Sequence, residues 1–128
     1  MRKRHFLTSA FLLGSVMLVL GQTSAAAPAD GAGMALFKQR CQNCHSLKPG
    51  APAPLGPNLA GVVGRRAGST DFRYSPALKS SGLVWNPANL DRYLASPTKA
   101  VPGTRMVISV PDAKQRGELI RYLGDTAQ

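Results

Sequence analysis

Cys41, Cys44 and His45 stand in the run Cys-Gln-Asn-Cys-His, two thiols and an imidazole at a spacing that has a specific chemistry. C-x-x-C-H is the pattern of c-type haem attachment. On a helix, residues three apart share a face, so both thiols reach the two vinyl groups of one porphyrin while the next residue carries its imidazole to the iron. Three fixed positions also arise by chance, so the motif needs a second axial ligand, an export signal and a small domain able to wrap a porphyrin.

Two other chemistries compete for the same residues. A Cys-x-x-Cys redox pair belongs after a strand in a βαβ unit, and nothing before Cys41 has that pattern. Structural zinc needs four ligands, and downstream of the N-terminal segment only Cys41, Cys44 and His45 qualify.

The N-terminus has the layout of a secretory signal peptide. Arg2, Lys3 and Arg4 precede an apolar run from Phe6 to Leu20, followed by small residues from Ser24 to Ala29. Cleavage is expected after Ala26 or Ala29, giving a signal over 1–26 and a domain over 30–128. An uncleaved anchor is the rival reading. Against it, the apolar run is interrupted by Thr8, Ser9, Gly14 and Ser15 and falls short of the roughly 20 residues that a spanning helix needs. Export places the chain in the periplasm. In that oxidising compartment the two thiols form a disulfide unless they are kept reduced until haem captures them.

His5 leaves with the signal, so His45 is the only histidine of the mature chain, and two histidines cannot ligate one iron within a monomer. The remaining thioethers are Met34 and Met106. Met34 lies two helical turns before Cys41, beside or beyond the haem edge. Met106 follows Pro102-Gly103-Thr104-Arg105, a loop able to lay backbone against a porphyrin, and is distant enough in sequence to come from the opposite face. The competing reading of Met106 is a gap-filling core residue.

The elements that must position these groups are helices and loops. A first helix from Gly33, with Phe37, Cys41, Cys44 and His45 in register, is expected to run straight into the motif. Residues 48–68 hold four prolines and five glycines, which excludes a long helix or a central strand. Ser75-Pro76 starts a short helix that Gly82 ends, and Asn86-Pro87 starts another that Pro97 stops. A last helix begins near Asp112, with Gln115 as its capping-box partner, carries Leu119, Ile120 and Leu123, and closes at Gly124. The expected fold is a single all-α domain of helices and long loops around one haem.

Composition agrees. A signal of 26 residues leaves 102, enough for one domain with a thin core of its own. Without Arg2, Lys3 and Arg4 the chain keeps thirteen basic against six acidic residues, a net of +7. Scattered cations on an exported chain disfavour nucleic acid and leave two readings, a solvated basic surface or a docking face for an acidic protein.

From Gly33 to about Gly124 the chain resembles the class I cytochromes c, the small mitochondrial and bacterial electron carriers. Cys41-Gln-Asn-Cys-His45 matches their haem site, Gly56-Pro57-Asn58-Leu59 the loop below the proximal ligand, and Pro102-Gly103-Thr104-Arg105-Met106 the distal loop. The resemblance implies one covalent haem c on Cys41 and Cys44, with His45 and Met106 on the iron and Thr104 among the residues around the cofactor. It implies that the Pro57 carbonyl accepts a hydrogen bond from His45, that Arg65, Tyr74 and Trp85 tether the haem propionates, and that Tyr93 places a hydroxyl near the ligating sulfur. For Trp85 and Tyr93, plain aromatic packing is the competing role. Gly33, Phe37 and Tyr122 match the crossing of the first and last helices.

The chain departs from that family in places. Leu78 stands where the mitochondrial members have an asparagine, and Ile108 where they have an aromatic. Of their docking lysines, Arg40, Lys99 and Arg105 have counterparts, while Ala35, Pro54, Thr98 and Ala113 fill other positions. The function implied is a monomeric, periplasmic one-electron shuttle without enzymatic activity, working between respiratory or dehydrogenase complexes and a terminal oxidase or reductase through acidic patches on its partners. Two alternatives are a dedicated cytochrome subunit of a periplasmic oxidoreductase, and a peroxidase or gas-binding protein with Met106 displaced.

Overall fold

The computed structural model describes residues 29–126, so the signal-peptide reading and its cleavage sites lie outside the described residues. Five helices follow one another: α1 (Ala29–Arg40), α2 (Pro76–Ser80), α3 (Pro87–Ala95), α4 (Pro97–Ala100) and α5 (Ala113–Asp125). Long loops separate α1 from α2 and α4 from α5. Among the described residues the only β-pairing is an isolated antiparallel bridge between Arg66 and Val84.

The start signals work as their chemistry requires. Ser75 accepts from the Leu78 amide at 3.2 Å, Asn86 from Asn89 at 2.8 Å and Asp112 from Gln115 at 2.8 Å, each satisfying an amide with no partner inside its helix. At Asp112 this is half a capping box, since no bond from the Gln115 side chain back to Asp112 occurs among the described residues. Gly82, at φ 68°, follows α2 as expected.

Four boundaries differ from expectation. Helix α1 begins at Ala29 rather than Gly33 and ends at Arg40 instead of running into the haem motif. The Phe37 carbonyl accepts from both Cys41 (2.8 Å) and Gln42 (3.0 Å), so the helical ladder slips by one residue and Cys41–Cys44 becomes a turn. Pro97 ends α3, yet it also opens the single turn of α4, where its missing N–H costs nothing. Finally, α5 continues through Gly124 to Asp125 and is capped by Thr126.

Helices α1 and α5 pack directly on each other, and α3 packs on α5 and α4. The crossing of α1 and α5 depends on Gly33. A Cβ there would run into the Glu118 carbonyl oxygen and lie 2.6 Å from the Tyr122 Cβ, and backbone cannot yield as a flexible side chain does. The Phe37 and Tyr122 rings meet beside it, 6.0 Å apart. The buried core joins Leu36 and Phe37 of α1, Leu90, Tyr93 and Leu94 of α3, and Leu119 and Leu123 of α5, with Leu119 fully inaccessible.

Gly33→Ala therefore overpacks the crossing, and urea unfolding should show a loss of about 1–3 kcal/mol. Leu119→Ala, which removes a fully buried side chain, should lose about 2–5 kcal/mol.

Candidate functional site

The core surrounds a cavity of about 610 Å³, within the usual size of cofactor sites. Leu59, Val62, Leu78, Leu90, Leu94, Leu119 and other apolar side chains line it, and Cys41, Cys44, His45 and Met106 all reach it. Among the described residues no acidic side chain does, whereas Arg40, Arg65, Arg73 and Arg105 do. Neither cysteine is in a disulfide, and both are partly accessible. Burial raises the Cys41 pKa, the Arg40 charge opposes that rise, and Cys44 adds to it.

The proximal side is built around His45. Its amide closes the turn on the Cys41 carbonyl at 2.9 Å, which fixes the imidazole relative to the thiols. Its Nδ1 lies 2.8 Å from the Pro57 carbonyl. A carbonyl only accepts, so Nδ1 carries the proton and Nε2 keeps its lone pair for a metal. Burial lowers the His45 pKa, and the Pro57 bond opposes it. Gly56 lies flat against this ring. A Cβ at Gly56 would collide with Cε1 and lie 2.7 Å from Nδ1, so only glycine lets the backbone pass so near the imidazole.

Asn58 secures the loop that carries Pro57. Its amide donates to the Lys48 and Ala51 carbonyls at 2.7 and 2.8 Å, and its side-chain oxygen accepts from the Ala60 amide at 2.8 Å. Arg65 closes the same loop by donating to Ala60 and Asn58 carbonyls, each at 2.9 Å. A guanidinium has five N–H groups, so Arg65 keeps donors for an anion in the cavity while holding its own backbone. Pairing of 64–67 with 83–85 brings Trp85 alongside, its amide bonded to the Arg65 carbonyl at 2.9 Å.

Tyr74 and Trp85 both line the cavity. The Tyr74 hydroxyl bonds Thr70 at 2.5 Å, a partner that sequence reasoning missed because a threonine among turn residues has no distinguishing pattern. Trp85 packs on Tyr93 with ring centroids 4.9 Å apart, so aromatic packing is part of the role of both. The Tyr93 hydroxyl lies 2.6 Å from the Thr104 hydroxyl, which joins α3 to the loop before Met106. Met34 is partly exposed and does not line the cavity. Leu78 is buried against the cavity, and Ile108 stands at its edge half-exposed.

The competing chemistries find little support in this geometry. The Cys-x-x-Cys pair follows a helix, and among the described residues no cluster of three or more His, Cys, Asp or Glu side chains could hold a metal. A flat apolar group tethered by two thiols fits a cavity with an imidazole at one wall and a thioether among its lining.

No family profile matches the chain. It is 44% identical over 101 residues to a cytochrome c of Theileria annulata, a match covering 78% of this chain and 86% of that one. It is 42% identical over 108 residues to cytochrome c2 of Rhodomicrobium vannielii, covering 83% and 86%. The solved structure of cytochrome cH from Methylobacterium extorquens superposes with a TM-score of 0.68 at 41% identity, covering 73% of this chain and 95% of that one. The chain belongs to the class I cytochrome c family. It is an all-α electron-transfer protein, not an enzyme, and carries one covalent haem c. Among the described residues no helix is long and apolar enough to cross a membrane.

The Tyr93–Thr104 bond is measurable. A double-mutant cycle with Tyr93→Phe and Thr104→Val should return a coupling of about 1 kcal/mol. Burial raises the Tyr93 pKa above its ordinary 10, with the Thr104 bond acting in the opposite direction. The folded protein therefore holds this proton more tightly than the unfolded chain. The resulting stability is complete below pH 10 and declines as pH rises through the folded value. Tyr93→Phe should flatten that alkaline decline in urea titrations run at successive pH values.

Proposed function

We propose that this chain is a periplasmic one-electron carrier whose haem iron is held by His45 and Met106. The observation that carries the reading is the paired arrangement of an oriented imidazole, its Nε2 left free by the Pro57 bond, and a thioether on a separate loop lining the same apolar cavity. Bound haem supplies a ferric–ferrous couple. His45 and Met106 would both hold the iron and leave substrate no open site there, and the apolar walls would limit solvent reorganisation when charge changes. A thioether ligand and an apolar surround favour the ferrous state relative to two nitrogen ligands. Arg65, with Tyr74 and Trp85 beside it, offers donors to the propionates, whose burial without partners is costly.

Residues 1–26 act as the export signal in this reading, with cleavage after Ala26 or Ala29. Electrons pass at the cavity mouth, where Arg40, Arg73 and Arg105 gather with no carboxylate among the described residues. That charge fits acidic patches on donor and acceptor proteins, which serve rapid, short-lived encounters. Leu55, Val107 and Ile108 add exposed apolar surface at the same mouth, 75%, 70% and 49% accessible. That surface favours a second reading, a dedicated subunit of a periplasmic oxidoreductase. Stoichiometric co-purification with such a complex would support it over a free, monomeric carrier.

The ferric absorption spectrum tests the ligation. It should show a low-spin haem with a sulfur-to-iron band that Met106→Ala abolishes. A wild-type spectrum that is high-spin at neutral pH and binds cyanide rapidly would replace the carrier reading with a peroxidase or gas-binding one. The docking face has its own test, because Arg105→Glu should slow reduction by the physiological donor at low salt. That difference should shrink as ionic strength rises, and an unchanged rate would remove this face from the encounter.

A further inference from the structure

The loop between α4 and α5 spans twelve residues without regular structure and carries Met106 at its middle. Met106, Val107 and Ile108 make no hydrogen bond among the described residues. Met106 packs against the core, and hydrogen bonding fixes this segment only through the chain on either side. Before them, Thr104 is bound to Tyr93, and Arg105 donates to the Arg73 carbonyl at 2.9 Å. After them, the Val110 amide donates to the Leu94 carbonyl at 2.8 Å, and the Val110 side chain is almost fully buried.

One side chain completes the second anchor. Arg116, one turn into α5, directs Nη1 at the carbonyls of Val110 (3.1 Å) and Pro111 (2.7 Å). Its Nε and Nη2 face the Asp91 carboxylate of α3 at 2.7 and 3.5 Å. Four of its five N–H groups are thus engaged, and the side chain is only 11% exposed against 45% for Asp91. Val110 is held through its amide, its carbonyl and its burial at once. A lysine cannot reproduce this, because one ammonium cannot meet two carbonyls and a bidentate carboxylate in a fixed plane.

We propose that Arg116 is a positioning residue for the axial ligand, and that Asp91 holds its guanidinium in place to do so. With both anchors set, the short span between Arg105 and Val110 has little slack, and Met106 is kept toward the cavity. Without Arg116 the span slackens while helices α1, α3 and α5 keep their apolar contacts. This inference rests on Met106 being an iron ligand. If Arg116 served only to staple α3 to α5, losing it would weaken the whole fold evenly.

The test follows two signals in one urea titration of the ferric holoprotein, the sulfur-to-iron band and the far-ultraviolet helix signal. Arg116→Lys should lose the band at lower urea than it loses its helices. The equilibrium constant for band loss in water should rise roughly tenfold or more, the effect of removing a charge-assisted hydrogen bond. Asp91→Asn, a milder change, should shift the band in the same direction by less. Gly33→Ala, which loosens the α1–α5 crossing, should move both signals together. If Arg116→Lys and Asp91→Asn behave as Gly33→Ala does, or move neither signal, the clamp is wrong while ligation by Met106 stands. A wild-type protein without the band would instead overturn the Met106 assignment itself.

Discussion

The structure depends on a large apolar group filling the centre of a chain whose own elements are too small to close over it. The helices run from 4 to 13 residues, and isolated helices below about 12–15 residues are marginal in water. Their apolar faces converge on a shared cavity of about 610 Å³ rather than only on one another. Leu59 and Val62 of the loop after α1, Leu90 and Leu94 of α3, and Leu119 of α5 share that one space. The tether at Cys41 and Cys44 keeps its occupant in place whatever the redox state.

Around that centre the chain divides its work. The proximal side is rigid because loop backbone is tied to side chains: Asn58 bridges its own loop, Arg65 closes it, and Pro57 presents a carbonyl that sets the His45 tautomer. On the side of Met106, residues 106–108 make no hydrogen bond among the described residues, and the residues that flank them are held. Electron exchange needs the groups around the haem to stay where they are: the restraint falls on His45 itself on one side, and on the residues flanking Met106 on the other. The mouth is edged by arginines and by exposed Leu55, Val107 and Ile108.

The fold was largely legible because its signals are local. Ser75-Pro76, Asn86-Pro87 and Asp112 are caps whose side chains bond the amides that their chemistry demands, and Gly33 stands where two helices touch. A spaced triplet and subtraction among histidines and methionines pointed to Cys41, Cys44, His45 and Met106, which the fold brings to one cavity. Illegible features were those decided by tertiary context. Nothing near Cys41 announces that Phe37 will accept two amides and end the helix early, and Gly124 looks like a stop until α5 continues through it. The Arg116–Asp91 pair joins residues 25 apart, and Thr70 meets Tyr74 across a turn, so neither has a pattern that a linear reading detects.

Occupancy of the cavity organises the helices, and a chain unable to attach haem shows whether it does. A Cys41→Ala/Cys44→Ala variant, purified free of cofactor, should have far less helix by circular dichroism than the holoprotein and no cooperative thermal transition at neutral pH. A variant with the helix content of the holoprotein that melts in one sharp transition would show instead that the polypeptide closes its core unaided.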